Sequence, residues 1–128
     1  NDILNVLQSN FGTLDGQAGF DRVHFLQQGN IDLSGNINTL HSIETIDVTN
    51  NISNSITLNS DMVLNMADDN IAYVLGDSSD TLQLVGDWQQ GQSYVVNDSL
   101  TLDSYTSTAA NSESVTVLSD QQISVASA

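Results

Sequence analysis

The residues of this chain best suited to chemistry lie in Leu14-Asp15-Gly16-Gln17-Ala18-Gly19-Phe20-Asp21-Arg22-Val23. Gly16 and Gly19 permit a turn with φ > 0, in which successive carbonyl oxygens can be aimed at one point. Asp21 adds a carboxylate, and a hard cation such as Ca²⁺ takes about six to eight oxygen ligands. The apolar Val23 then opens a short strand. Leu4, Leu14 and Val23 recur at a rhythm close to nine residues, so Asp2 precedes Asp21 by about one coil of two strands. Residues one coil apart stack on the same edge. The expected calcium ligands are therefore the carboxylates of Asp2 and Asp21, with backbone carbonyls from the Gly16–Gly19 turn. The intervening Gln8-Ser9-Asn10-Phe11-Gly12 lacks the glycine–aspartate chemistry, so a single metal-capable edge is expected. Gly76-Asp77-Ser78-Ser79-Asp80-Thr81-Leu82 keeps only the aspartate-x-apolar ending. Asp77 and Asp80 are lesser metal candidates, more simply explained as a solvated loop.

Other reactive side chains point to no catalytic arrangement. His24 and His41 have neither an i, i+4 partner nor a neighbouring Glu at metalloprotease spacing, so a structural role is expected. Asp68 and Asp69 are adjacent, and adjacent residues usually point apart. Asp32, Glu44 and Asp47 could include a glycosidase pair, which needs carboxylates about 5 to 10 Å apart; polar positions of exposed strands are the simpler reading. Trp88, Tyr94 and Tyr105 could form an aromatic platform for sugar, but buried anchors at strand ends are the simpler reading. No Gly-x-Ser-x-Gly, P-loop or cysteine occurs, and no enzymatic activity is expected.

Composition narrows the partners. Sixteen acidic residues stand against one basic residue, Arg22, for a formal charge of −15. Such a chain repels phosphate, which disfavours nucleic acid and anionic membranes and favours divalent cations. Hydrophobic residues make up 39% and recur in regular clusters, so the acidity is not that of a disordered tail. Without cysteine there are no disulfides or thiolate metal sites, and with no lysine either the composition suits a bacterial extracellular protein. No apolar run approaches the roughly 20 residues of a membrane helix. No signal peptide opens the chain, and the start at Asn1 suggests a fragment or processed chain whose export address lies upstream or at the C-terminus.

The elements that must position these residues are mostly short strands. Apolar and β-branched residues alternate with polar ones in bursts closed by Gly, Asn, Asp or Ser. The bursts are Ile31-Asp32-Leu33, Ile43 to Val48, Ile56-Thr57-Leu58, Ala72 to Leu75, Thr81 to Val85, Tyr94-Val95-Val96, Leu100-Thr101-Leu102, Val115-Thr116-Val117 and Ile123-Ser124-Val125. One helix is expected at Ser60 to Met66, capped by Asn59 or Ser60, with Asp61 in its first turn. Ile31-Asp32-Leu33-Ser34-Gly35-Asn36-Ile37-Asn38 is echoed by Ile46-Asp47-Val48-Thr49-Asn50-Asn51-Ile52-Ser53, and more briefly by Ile56-Thr57-Leu58-Asn59. The expected fold is all-β: a right-handed parallel β-solenoid or β-roll with short strands and a strand-rich C-terminal cap that covers its open end. The chain reads as a single domain over 1–128. Within it, 1–30 hold degenerate β-roll turns, 31–90 solenoid-like rungs with the helix near 60–66, and 91–128 the cap.

These motifs resemble those of one family, the giant bacterial RTX adhesins. Asn1-Asp2-Ile3-Leu4 resembles the close of a G-G-x-G-N-D-x-L repeat, and Leu14 to Val23 a final one with Gln17 in place of the second glycine. Ile43-Glu44-Thr45-Ile46-Asp47-Val48-Thr49, Asn54, Thr57-Leu58 and Met62-Val63-Leu64-Asn65-Met66 are similar to the segment after the repeats. Leu75 to Leu84 with Gly86-Asp87-Trp88 continues the likeness, and Tyr94 to Val125 resembles the terminal strand-rich part. The resemblance implies a calcium-stabilised terminal module of a secreted or cell-surface adhesin. It would carry or adjoin an uncleaved type I secretion signal; from Ser93 onward the chain has no Lys or Arg. The implied partners are calcium, the type I secretion machinery and, through the parent protein, host or biofilm surface ligands. Two rivals stand beside it: a sugar- or peptide-binding module of an adhesin gripping through Trp88 and nearby tyrosines, and an accessory domain of an extracellular RTX enzyme.

Overall fold

The computed structural model describes residues 2–6, 13–26, 29–32, 39–50 and 52–127. Thirteen strands and one short helix follow in chain order among these residues: β1 (Ile3–Val6), β2 (Thr13–Asp15), β3 (Arg22–Phe25), β4 (Gly29–Asp32), β5 (Thr39–His41), β6 (Thr45–Asp47), β7 (Asn54–Asn59), α1 (Ser60–Met66), β8 (Ile71–Leu75), β9 (Thr81–Val85), β10 (Gln89–Asn97), β11 (Leu100–Thr108), β12 (Ser114–Asp120) and β13 (Ser124–Ser127). The chain is all-β in class, as its alternating bursts predict. In β7 every second residue is buried, beginning at Asn54, and β9 buries Leu82 and Leu84 while Thr81 and Val85 face out. Helix α1 occupies the expected residues. Asn59 caps it by accepting the Met62 N–H, and Val63 and Met66 face the core.

Most of the pairing is parallel. One sheet has the order β1-β3-β6-β8-β12-β11-β10, a second β13-β9-β7-β4, and a third is the pair β2-β5. In the first, β1, β3, β6, β8 and β12 run parallel, and only β11 and β10 are added antiparallel. The second and third are parallel throughout. Successive passes of the chain therefore visit the sheets in turn and return beside the strand of the pass before. Parallel neighbours cannot be joined by tight hairpins, which is why each lies on a different pass.

The passes bury one column of side chains per inward position. Leu4, Val23, Ile46 and Val74 are cross-strand neighbours in the first sheet, and Ile56–Leu82 and Leu58–Leu84 in the second. All but the half-buried Leu4 are fully shielded from solvent. At about 1.5–3 kcal/mol for each buried aliphatic side chain, these columns dominate the favourable side of folding. The repeat of Ile31 and Ile46 does not stack: Ile31 pairs with Ile56 in the second sheet, whereas Ile46 pairs with Val23 in the first. Likewise Leu14 pairs with Leu40 while Leu4 pairs with Val23. The passes differ in length because the corners do, so a fixed sequence period is not the structural one. No helix among the described residues is long and apolar enough to cross a membrane.

Candidate functional site

The Gly16–Asp21 turn links β2 to β3 and closes tightly on itself. A Cβ on Gly16 would fall 2.3 Å from the Ser42 carbonyl oxygen and 2.8 Å from Asp21 Oδ2, so only glycine fits. The Gly16 N–H donates to the His41 carbonyl. Gln17, in the second-glycine position of the repeat pattern, has φ 66°, and Gly19 has φ 128°. The left-handed conformation is thus kept without the glycine, and the Asp15 carboxylate steadies it by accepting the Gln17 N–H at 2.9 Å.

Asp2 and Asp21 do stack one pass apart, as the spacing predicts. The Arg22 N–H donates to the Asp2 carbonyl, and Asp21 Oδ1 accepts the Asp2 N–H. Asp21 is fully buried, while Asp2 is exposed. The column continues one pass further to a residue that sequence reasoning assigned to an exposed strand. Glu44 is buried; its Oε2 accepts the Asp21 N–H at 2.8 Å, and its Oε1 the Asp68 N–H at 3.5 Å. The Asp21 carbonyl in turn accepts the N–H groups of Glu44 and Thr45. Each acid thus reaches back to the backbone of the pass before it. Buried N–H groups at a corner need an acceptor, and a carboxylate supplies a strong one.

The same device recurs at the entry to β9. A Cβ on Gly76 would lie 2.9 Å from Asp80 Oδ2 and 2.8 Å from Ile123 Cδ1. Asp80 Oδ1 accepts the Asn54 N–H at 2.9 Å and Asn54 Nδ2 at 3.2 Å, while Oδ2 accepts the Asp77 N–H at 2.8 Å. Asp77 Oδ1 accepts from both N–H and Oγ of Ser79. The solvated-loop reading holds for neither aspartate in full: Asp80 is buried and Asp77 half-buried. Burial raises the Asp80 carboxyl above the usual aspartate range, against the pull of its hydrogen bonds to Asp77 and Asn54.

The remaining candidates separate. Asp47 is buried and not on an exposed strand position; it pairs with Arg22 Nη1 at 3.3 Å and caps Thr49. His24 Nε2 lies 3.2 Å from the Thr49 carbonyl and 4.0 Å from Asp47 Oδ1, and His41 is exposed. Asp68 accepts from Ser42 Oγ and Asp69 from the Ile71 N–H, so the adjacent pair does separate work. The side chain of Asp32 and the turn 7–12 lie outside the described residues. Trp88 and Tyr105 pack partly against the core, whereas Tyr94 is 46% exposed. Among the described residues no group of three or more His, Asp or Glu gathers closely enough to hold a metal ion.

Comparison with protein-family models, with curated proteins and with solved structures finds no match to this chain.

Proposed function

We propose that this chain is a structural module, a parallel β-solenoid whose successive rungs are locked at their corners by carboxylates, and that it serves as the calcium-stabilised terminal part of a secreted RTX-type adhesin. The observation that supports this reading is the Asp2–Asp21–Glu44 column. It includes the Gly16–Asp21 turn, which keeps two glycines and the aspartate of the repeat pattern, with a left-handed Gln17 in place of the second glycine. The antiparallel β10–β11 hairpin ends the run of parallel pairing at β12, which supports a distinct C-terminal part, with β10 left as the edge strand of the sheet. The Lys- and Arg-free stretch from Ser93 onward suits a chain that carries or adjoins a type I secretion signal.

Calcium would be held by the Asp2 and Asp21 carboxylates with backbone carbonyls of the Gly16–Gly19 turn. It would offset the mutual repulsion of a −15 chain at this corner. A cation that binds only the folded chain stabilises it by RT ln(1 + [L]/Kd), so millimolar external calcium would favour folding after export. Circular dichroism with titrated calcium tests this reading. Calcium is expected to raise the melting temperature and chelator to lower it, with the response weakened in Asp21→Ala. A melting temperature indifferent to calcium and chelator would remove calcium from the proposal.

A further inference from the structure

Where the β9–β10 connection meets the end of β11 and the start of β12, the surface opens into a cleft of about 930 Å³. That is the size of a small-molecule site. Trp88 stands in its wall. The indole is fixed from behind by its Nε1–H, which donates to the Val85 carbonyl at 3.0 Å, and the ring packs partly on the core. The segment that carries it is fixed too, because Ser107 Oγ donates to the Asp87 carbonyl at 2.6 Å. On the opposite side Ser60 begins α1, and the next residue, Asp61, accepts the Ala110 N–H at 2.8 Å, tying the helix start to the β11–β12 turn. The walls are therefore held in place without a ligand.

The lining is chemically selective. Gln89 lies opposite Thr106, and Thr108 opposite Ser114, so these four neutral polar residues share one sheet face. None of the four side chains has a hydrogen-bond partner among the described residues. Among the described residues Asp87 is the only charged one of the lining, and no Lys, Arg or His joins it there. An anionic ligand would meet that carboxylate and a net charge of −15. A lipid or other hydrophobe would need apolar walls, and Trp88 alone supplies one. What fits is a neutral molecule with many hydroxyls and one apolar face. We infer that this cleft is a binding site for a neutral saccharide, with a sugar ring stacked on Trp88. Its hydroxyls would be met by Thr106, Thr108, Ser114, Gln89 and the Asp87 carboxylate.

Trp88 is the only tryptophan of the chain, so its fluorescence reports this cleft alone. The test is a titration of the folded chain with short neutral β-linked and α-linked glucan oligomers. An oligouronate and a Ser/Gly peptide of similar length serve as controls. A saturable change with at least one glucan is expected at concentrations up to ~10 mM, with none from the controls. Thr108→Arg, an exposed residue on β11, would fill the cleft and abolish the response while leaving the indole and the far-ultraviolet circular dichroism intact. Trp88→Ala, followed by calorimetry, should weaken binding by about tenfold or more. Failure of every glucan to give a saturable signal would overturn the inference. So would a response unchanged in Thr108→Arg, or equal binding of either control.

Discussion

Asp80 offers the sharpest test of corner locking, because its neighbours allow the effect of removing it to be worked out. Its carboxylate accepts two N–H groups from the backbone, those of Asn54 and Asp77, and one from the Asn54 side chain. Asp80→Ala would leave the Asn54 N–H buried without this acceptor, which costs about 1–3 kcal/mol. The Asn54 amide keeps the carbonyls of Ile52 and Val48 and Asn50 Oδ1, and Asp77 is only half-buried. Relief of a desolvated charge offsets part of this. A net loss of about 1–2 kcal/mol is expected, out of the roughly 5–15 kcal/mol that holds a typical domain together. Asp80→Asn should be milder, about 1 kcal/mol. Its carbonyl can take the Oδ1 place toward Asn54, but its amide then faces the Asp77 N–H, donor against donor.

The pH dependence has a definite sign. The folded state raises the Asp80 pKa above the ordinary 3.8, so in the window between the two values the folded chain binds the extra proton. The stability contributed by this residue therefore increases as pH falls through the raised value and levels off below about 3.8. The asparagine variant lacks that gain, so its deficit relative to the parent should widen on going from pH 7 to mildly acidic solution. Urea unfolding followed by Trp88 fluorescence at several pH values measures both quantities. Variants within about 0.5 kcal/mol of the parent at pH 7, or a deficit that narrows on acidification, would refute the reasoning.

Other substitutions probe the remaining features. Gln17→Gly should stabilise the chain by up to about 1 kcal/mol, read as a higher urea midpoint, because φ 66° burdens any side chain there and not glycine. Gly16→Ala, with its Cβ driven against the Ser42 carbonyl, should lose about 3 kcal/mol or more in the same assay. Val95 is 76% exposed on β10, an edge strand without a single charge or proline. Val95→Lys should leave the melting temperature nearly unchanged and suppress concentration-dependent light scattering, since charge on an exposed edge discourages strand-to-strand association.

Much of this fold is legible in the sequence where the signal is local. Thr81 to Val85 and Ser60 to Met66 match their elements at both ends, because alternation and a capping Asn59 are properties of a few neighbouring residues. The stacking of Asp2 on Asp21 is legible because that pass follows the nonapeptide rhythm nearly unbroken. Its successors do not: Asp21 and Glu44 are 23 residues apart, and Asn54 and Asp80, separated by α1, 26. Nothing local in Glu44 or Asp47 marks them as buried, since burial depends on which turn arrives above them. The Tyr94-Val95-Val96 burst is correctly a strand, but its apolar character suggests shielding that an edge position does not provide. The cleft beside Trp88 draws on α1, β11 and β12 together, so only the aromatic residue itself stood out.

The acidity of the chain reads equally well as an appetite for cations and as a supply of acceptors for corner N–H groups. The two uses compete for the same lone pairs. An ionised carboxylate offers about four acceptor sites. Asp80 commits three of them to Asn54 and Asp77, and Asp77 Oδ1 commits both of its own to Ser79. A cation arriving there would have to displace hydrogen bonds that hold two passes together. Asp21 Oδ1 gives up a site in the same way, to the Asp2 N–H, but Asp2 itself is exposed, so the Gly16–Gly19 corner keeps an accessible carboxylate. Substitution of Asp77 or Asp80 should change stability with calcium absent. A calcium response, where one is measured, should instead follow Asp21 and the exposed Asp2 at the Gly16–Gly19 turn.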